Sequence, residues 1–187
     1  MSGNIEVYYE STPNPQSMKF VITKTISEES INFETAASAG RSPLALKIFG
    51  FPWAEGVYIG PHFVTVTKQE WVDWEILADP LSQLIQEHIQ NDEVVLNPSA
   101  DTANLVDDSN DSNEVKTIKT IINNEIRPAV AMDGGDIVFH KYEDNIVHVF
   151  MQGACAGCPS STLTLKQGIE ARLQQALPEI KEVVAVM

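Results

Sequence analysis

The chain has only two cysteines in 187 residues, Cys155 and Cys158. A secreted domain stapled by disulfides carries more, so that class is excluded. Cations are scarce as well. Twelve Lys and Arg stand against 26 Asp and Glu, the net charge is −14, and no Lys/Arg run occurs anywhere. Nucleic acids and anionic membranes are drawn to clustered cations, so neither is an expected partner. No apolar stretch reaches the roughly 18–20 residues that span a bilayer. The opening Met1-Ser2-Gly3-Asn4-Ile5-Glu6 has neither the basic and apolar regions of a secretory signal nor the arginines of a transit peptide. An initiator Met directly before the first strand points to a bacterial cytoplasm ahead of a processed mitochondrial matrix protein.

Between Asn91 and Glu114 the cations vanish altogether. Asp92, Glu93, Asp101, Asp107, Asp108 and Asp111 are mixed there with Asn, Ser, Pro and Thr. Such a stretch buries too little apolar surface to offset its ordering entropy, and its charges repel one another. The expected organisation is a domain over 1–91, an acidic flexible linker over 92–113 and a second domain over 114–187, both α+β.

In the first domain, Ile5–Tyr9 and Met18–Ile22 read as strands across the turn segment Ser11-Thr12-Pro13-Asn14-Pro15. Ser42-Pro43 supplies a cap and a first helical position for Leu44–Phe49. Gly56–Gly60 and Phe63–Thr67 form a hairpin over Pro61-His62, and Asp79-Pro80 opens a helix with Leu81, Leu84, Ile85, His88 and Ile89 on one face. Trp53, Trp71 and Trp74 read as core and rim. No catalytic constellation is present.

In the second domain, Val115, Ile118, Ile121, Ile122 and Ile126 recur at helical spacing until Arg127-Pro128 stops the helix. Asp133-Gly134-Gly135 is a turn. Ile137 and Phe139, then Ile146, His148 and Phe150, alternate on either side of Glu143-Asp144-Asn145 as a hairpin with these residues inward. After the cysteines, Pro159 starts a helix carrying Leu165, Ile169, Leu173 and Leu177, and Val183–Val186 is a last strand. The order is α-β-β-α-β.

The cysteine loop reads Gly153-Ala154-Cys155-Ala156-Gly157-Cys158-Pro159-Ser160-Ser161. Pro159 at the first helical position puts Cys158 at the N-cap, where unpaired N–H groups and the helix dipole favour thiolate and bound anions. Gly153 and Gly157 keep side chains away, so backbone N–H groups can approach a bulky sulfide-containing ligand. Three chemistries remain open. A thiol–disulfide oxidoreductase uses such a pair at a helix start, inside a strand–loop–helix–strand unit; here the loop follows an antiparallel hairpin. Zinc needs two further ligands, and His140 and His148 read as ordinary strand histidines instead. An iron–sulfur cluster needs four thiolates, which a two-fold pair of chains supplies.

Three blocks carry a resemblance: Ile126-Arg127-Pro128-Ala129-Val130-Ala131-Met132-Asp133-Gly134-Gly135-Asp136-Ile137, the cysteine loop, and Thr164-Leu165-Lys166-Gln167-Gly168-Ile169-Glu170. Together they resemble the NifU C-terminal domain of the NFU family. Upstream, Thr12-Pro13-Asn14-Pro15 with Lys19-Phe20, Ser42-Pro43-Leu44-Ala45 and Gly60-Pro61 with Phe63–Thr67 resemble the N-terminal domain of mitochondrial-type NFU proteins. The resemblance implies an iron–sulfur cluster carrier with no turnover of its own. It implies a [4Fe-4S] cluster bridging a homodimer through Cys155 and Cys158 of each copy, delivered from assembly proteins to recipient enzymes. Full-length NifU carries additional cysteine-containing domains that this chain lacks, which favours a carrier over a primary scaffold.

Overall fold

In a computed structural model of the chain, the described residues are 5–98, 111–157 and 159–186. The chain divides into two compact units, Met1–Ala100 and Asp101–Met187. The heart of the acidic stretch, 99–110, and Cys158 lie outside the described residues.

The first unit contains β1 (Val7–Ser11), β2 (Ser17–Ile22), β3 (Ile31–Phe33), α1 (Pro43–Phe49), β4 (Ala54–Ile59), β5 (Phe63–Lys68) and α2 (Trp74–Gln90). Among the described residues its strands form an antiparallel sheet in the order β1-β2-β5-β4-β3. Met18, Phe20, Ile22, Val57, Ile59, Val64 and Val66 share a core with Leu44, Ile48, Leu81, Ile85 and Ile89 of the helices. The α1 start is as the sequence predicts: Ser42 Oγ accepts the Ala45 N–H at 3.0 Å, and Pro43 needs no partner at the first position. The α2 start is not. The helix begins at Trp74, with Pro80 inside it. Trp74 packs edge-on against Phe20, and its indole N–H donates to the Pro15 carbonyl at 3.1 Å. This anchoring draws the helix start back ahead of the proline, outweighing the hydrogen bond that Pro80 cannot donate. Packing continues past α2, for Val95 is buried and its carbonyl accepts the Ser42 hydroxyl at 2.6 Å.

The second unit runs α3 (Asn113–Ile121), a π-helical turn (Ile122–Ile126), α4 (Arg127–Met132), β6 (Gly135–Glu143), β7 (Ile146–Gly153), α5 (Pro159–Ala176) and β8 (Glu182–Val186). The expected α-β-β-α-β order holds, with one change: Pro128 does not stop the helix. The Arg127 N–H donates to the Ile122 carbonyl, five residues back. That wider turn takes up the clash and the missing donor of Pro128, and the helix resumes.

Strand β7 pairs antiparallel with β6 and parallel with β8. Asp144 and Asn145 close the hairpin with φ of 55° and 67°, the left-handed pair of a two-residue turn. The inward residues of β7 are Val147 and Val149, both fully buried; Ile146, His148 and Phe150 point to the other face. The predicted phase of this strand was therefore shifted by one residue. In β6 the register slips between Phe139 and Lys141, leaving His140 at the irregularity with its ring against Phe150. Ile118, Ile121, Ile122 and Ile126 meet Ile137, Val147, Val149, Ile169, Leu173 and Val183 in the core.

Candidate functional site

The cysteine loop leaves the end of β7 and enters α5, so it lies at the edge where β6 begins and α4 ends. Gly135 pairs with Gly153 across the two strands. The Ala154 N–H donates to the Gly134 carbonyl at 3.1 Å, the Cys155 N–H to Gln152 at 3.3 Å and the Ala156 N–H to Gly153 at 3.1 Å. These bonds curl the loop back onto the turn after α4. Cys155 is buried, 6% exposed, and belongs to the core cluster.

The glycines divide by physical cause. Gly153 and Gly157 have φ of 61° and 71°, where a side chain is strained, and open space surrounds the position a β-carbon of Gly157 would take. Conformation calls for glycine at Gly157. Gly135 is the crowded one: a β-carbon there would lie 2.2 Å from Cys155 Sγ and 3.1 Å from its Cβ and backbone nitrogen. The cysteine sulfur occupies the space that any other residue at 135 would fill. Sequence reading placed Gly135 in a turn and missed this, because the two residues are twenty positions apart.

A second missed element holds Gly135 in place. Arg127 Nε and Nη2 donate to the two carboxylate oxygens of Asp136, both at 2.8 Å, and Asp136 Oδ1 also accepts the Ile137 N–H at 2.8 Å. The Asp136 side chain is 5% exposed and that of Arg127 36%. This bidentate pair ties the first residue of α4 to the second residue of β6. The intervening turn and the floor under Cys155 are thereby fixed.

Among the described residues, no three His, Cys, Asp or Glu side chains converge in a way that could hold a metal ion. His140 is exposed at its irregularity and His148 lies on the sheet face opposite Val147 and Val149, so neither is brought to Cys155. One expected discriminator is overturned. The loop follows a hairpin, yet because β7 and β8 are parallel it also sits in a strand–loop–helix–strand unit. Hairpin context therefore does not argue against disulfide chemistry.

Residues 118–184 match the NifU-like domain model, and residues 7–92 match the model described as scaffold protein Nfu/NifU N terminal. The chain is 38% identical over 183 residues to the human NFU1 iron-sulfur cluster scaffold homolog, mitochondrial, covering 95% of this chain and 70% of that protein. The chain belongs to the NFU family. The homologue of the same name from Drosophila sechellia is also 38% identical, over 182 residues, with 63% of its length covered. A solution NMR structure of a NifU-like protein from Saccharomyces cerevisiae aligns at a TM-score of 0.44 with 26% identity, over 51% of this chain and 88% of that one. An iron–sulfur scaffold role follows at the level of the family, and nothing in these relatives supports the disulfide alternative. The expectation of a bacterial cytoplasm is corrected: these NFU relatives are named as mitochondrial. That expectation rested on where the chain begins, which does not report a compartment.

Proposed function

We propose that this NFU protein carries a [4Fe-4S] cluster, held between two copies of the chain by Cys155 and Cys158 of each, and passes it to recipient apo-enzymes. The cluster is cargo, and the chain performs no turnover on it. Four thiolates are the usual ligand set of such a cluster, and two per chain make two copies the smallest assembly that supplies it. The single observation that carries the reading is the seat of Cys155, a strand-end loop folded onto Gly135 beside the start of α5. Gly153 and Gly157 leave bare backbone toward the cluster. The second unit binds the cargo and the first serves recognition; the expected linker of 92–113 is shorter at its start, because Val95 and Leu96 pack on the first unit's core.

Anaerobic reconstitution with iron and sulfide, read by Mössbauer spectroscopy and sizing, tests the proposal. The expected result is about four irons per dimer, abolished by Cys155→Ala or Cys158→Ala. A monomer that takes up no iron and reduces disulfides through the same pair would replace this reading with the oxidoreductase one.

A further inference from the structure

The first unit holds a cleft of about 470 Å³, open to solvent, that the proposed cluster chemistry does not use. One wall is the loop between β2 and β3, with Ile26, Glu28 and Glu29; the other is the segment beyond α2, with Leu96 and Pro98. Both walls are fixed. The Ile26 N–H donates to the Pro61 carbonyl at 2.8 Å, and Ser27 Oγ donates to the Glu29 carbonyl at 2.7 Å while accepting the Glu29 N–H at 3.1 Å. On the other side, the Asn97 N–H donates to the Arg41 carbonyl at 2.7 Å. Arg41 then ties wall to wall, its Nη2 donating to the Asn97 carbonyl at 3.0 Å and to Glu29 Oε2 at 3.1 Å. A cleft braced in this way is preformed, so an occupant need not order it.

The lining is part aliphatic and part acidic. Ile26 and Leu96 pack against the first unit's core and are only partly covered by it. No Lys or Arg lines the cleft, and the neighbouring Arg41 is paired with Glu29, so Glu28 leaves the cleft with a net negative charge. The chain around it carries −14 and adds to that sign. Aliphatic surface beside a carboxylate matches an apolar side chain standing next to a Lys or Arg, whose own methylene stem adds apolar contact. The open side selects between occupants. A small-molecule pocket encloses most of its ligand, whereas an open cleft admits a chain that enters and leaves.

We infer that this cleft docks a short segment of a partner protein in which apolar residues stand beside Lys or Arg. The inference rests on the proposed reading that the first unit serves recognition, and it gives that recognition a place and a chemistry.

The test uses the full chain and a short labelled peptide alternating Leu with Arg, read by fluorescence anisotropy. Two control peptides alternate Leu with Glu, and Ser with Arg. Glu28→Lys reverses the charge inside the cleft, and Glu55→Lys makes the same change in net charge elsewhere on the first unit; both positions are exposed, so unchanged melting is the folding control. The expected result is that the Leu-Arg peptide binds at least roughly tenfold tighter than either control. Glu28→Lys should weaken it about tenfold, with Glu55→Lys like the parent. Backbone amide shifts on binding should centre on Ser27, Glu28 and Leu96. No binding to the parent, equal losses in the two variants, or a Ser-Arg peptide that binds as well would overturn the inference, the last two leaving only attraction to an acidic chain. Arginine amide binding as tightly as the peptide would overturn it too, and assign the cleft to a small cation. Delivery of cluster to an apo-acceptor separates the two readings. Peptide binding lost in Glu28→Lys with delivery unchanged keeps the docking cleft and removes the recognition role, whereas a cleft that binds nothing leaves recognition to another surface.

Discussion

Gly135 and Gly157 both serve the cysteine neighbourhood, for unlike reasons, and substitution separates them. A methyl at 135 collides with Cys155 Sγ. Either the sulfur swings away or the strand start shifts, and an overpacked core position loses about 1–3 kcal/mol. Gly135→Ala is expected to lower iron uptake several-fold on anaerobic reconstitution and to speed alkylation of Cys155 in the cluster-free protein. Gly157 has room but needs left-handed backbone. Asn tolerates that conformation, so Gly157→Asn is expected to keep most of the uptake. Equal losses in the two variants would show that crowding under Cys155 is irrelevant. Arg127 offers a third test at this scale. Arg127→Ala leaves the buried Asp136 carboxylate without its guanidinium, a loss of about 3 kcal/mol in urea unfolding, the lower end for a broken pair because Arg127 is a third exposed. The place of Gly157 in the loop was legible in the chain; the crowding at Gly135 and the Arg127–Asp136 pair were not. Sequence spacing shows which residues share a helix face, whereas the contact between positions 135 and 155 exists only once β6 and β7 have paired.

At the scale of elements, the legible pieces were those whose local signals agree with their packing. Ser42-Pro43 caps and opens α1, Asp144-Asn145 turns the hairpin, and Leu165, Ile169 and Leu173 face the core of α5. The misread pieces share a cause, a local rule overridden by distant contacts. Pro80 and Pro128 each read as a boundary, yet Trp74 anchors α2 upstream and the π-helical turn carries the first helix of the second unit through. Strand β7 has apolar side chains on both faces, so alternation alone left its phase open by one residue. That π-helical turn is itself tied to α5. Glu125 accepts two bonds from Arg172, at 2.6 and 2.7 Å, and this guanidinium holds the Glu125 carboxyl below its ordinary value of 4.5. A lowered folded-state pKa contributes stability above the unfolded value, lost as pH falls through the folded one. The stability gap between the parent chain and Glu125→Gln is therefore expected at neutral pH and should close as pH drops below 4.5. The pair is solvent-accessible, so added salt should narrow the gap as well. A gap that widens in acid would assign Glu125 a different role.

At the scale of the whole molecule, net charge sets a constraint on the proposed assembly. Each copy carries −14, and bringing two together sets like against like. The thiolates of the proposed cluster must hold the dimer against that repulsion. Screening lengths fall from about 30 Å at 0.01 M salt to about 8 Å at 0.15 M, so salt relieves the opposition without touching iron–sulfur bonds. Cluster-loaded dimer is thus expected to live longer, and to dissociate at lower protein concentration, as ionic strength rises across that range. Sizing and chelator challenge at a series of salt concentrations measure it. An assembly held instead by ion pairs between copies would respond in the opposite direction, with salt shortening the dimer's life. The sign of the salt dependence therefore tells whether two acidic chains meet in spite of their charge or by means of it, and a chain with so few cations predicts the first.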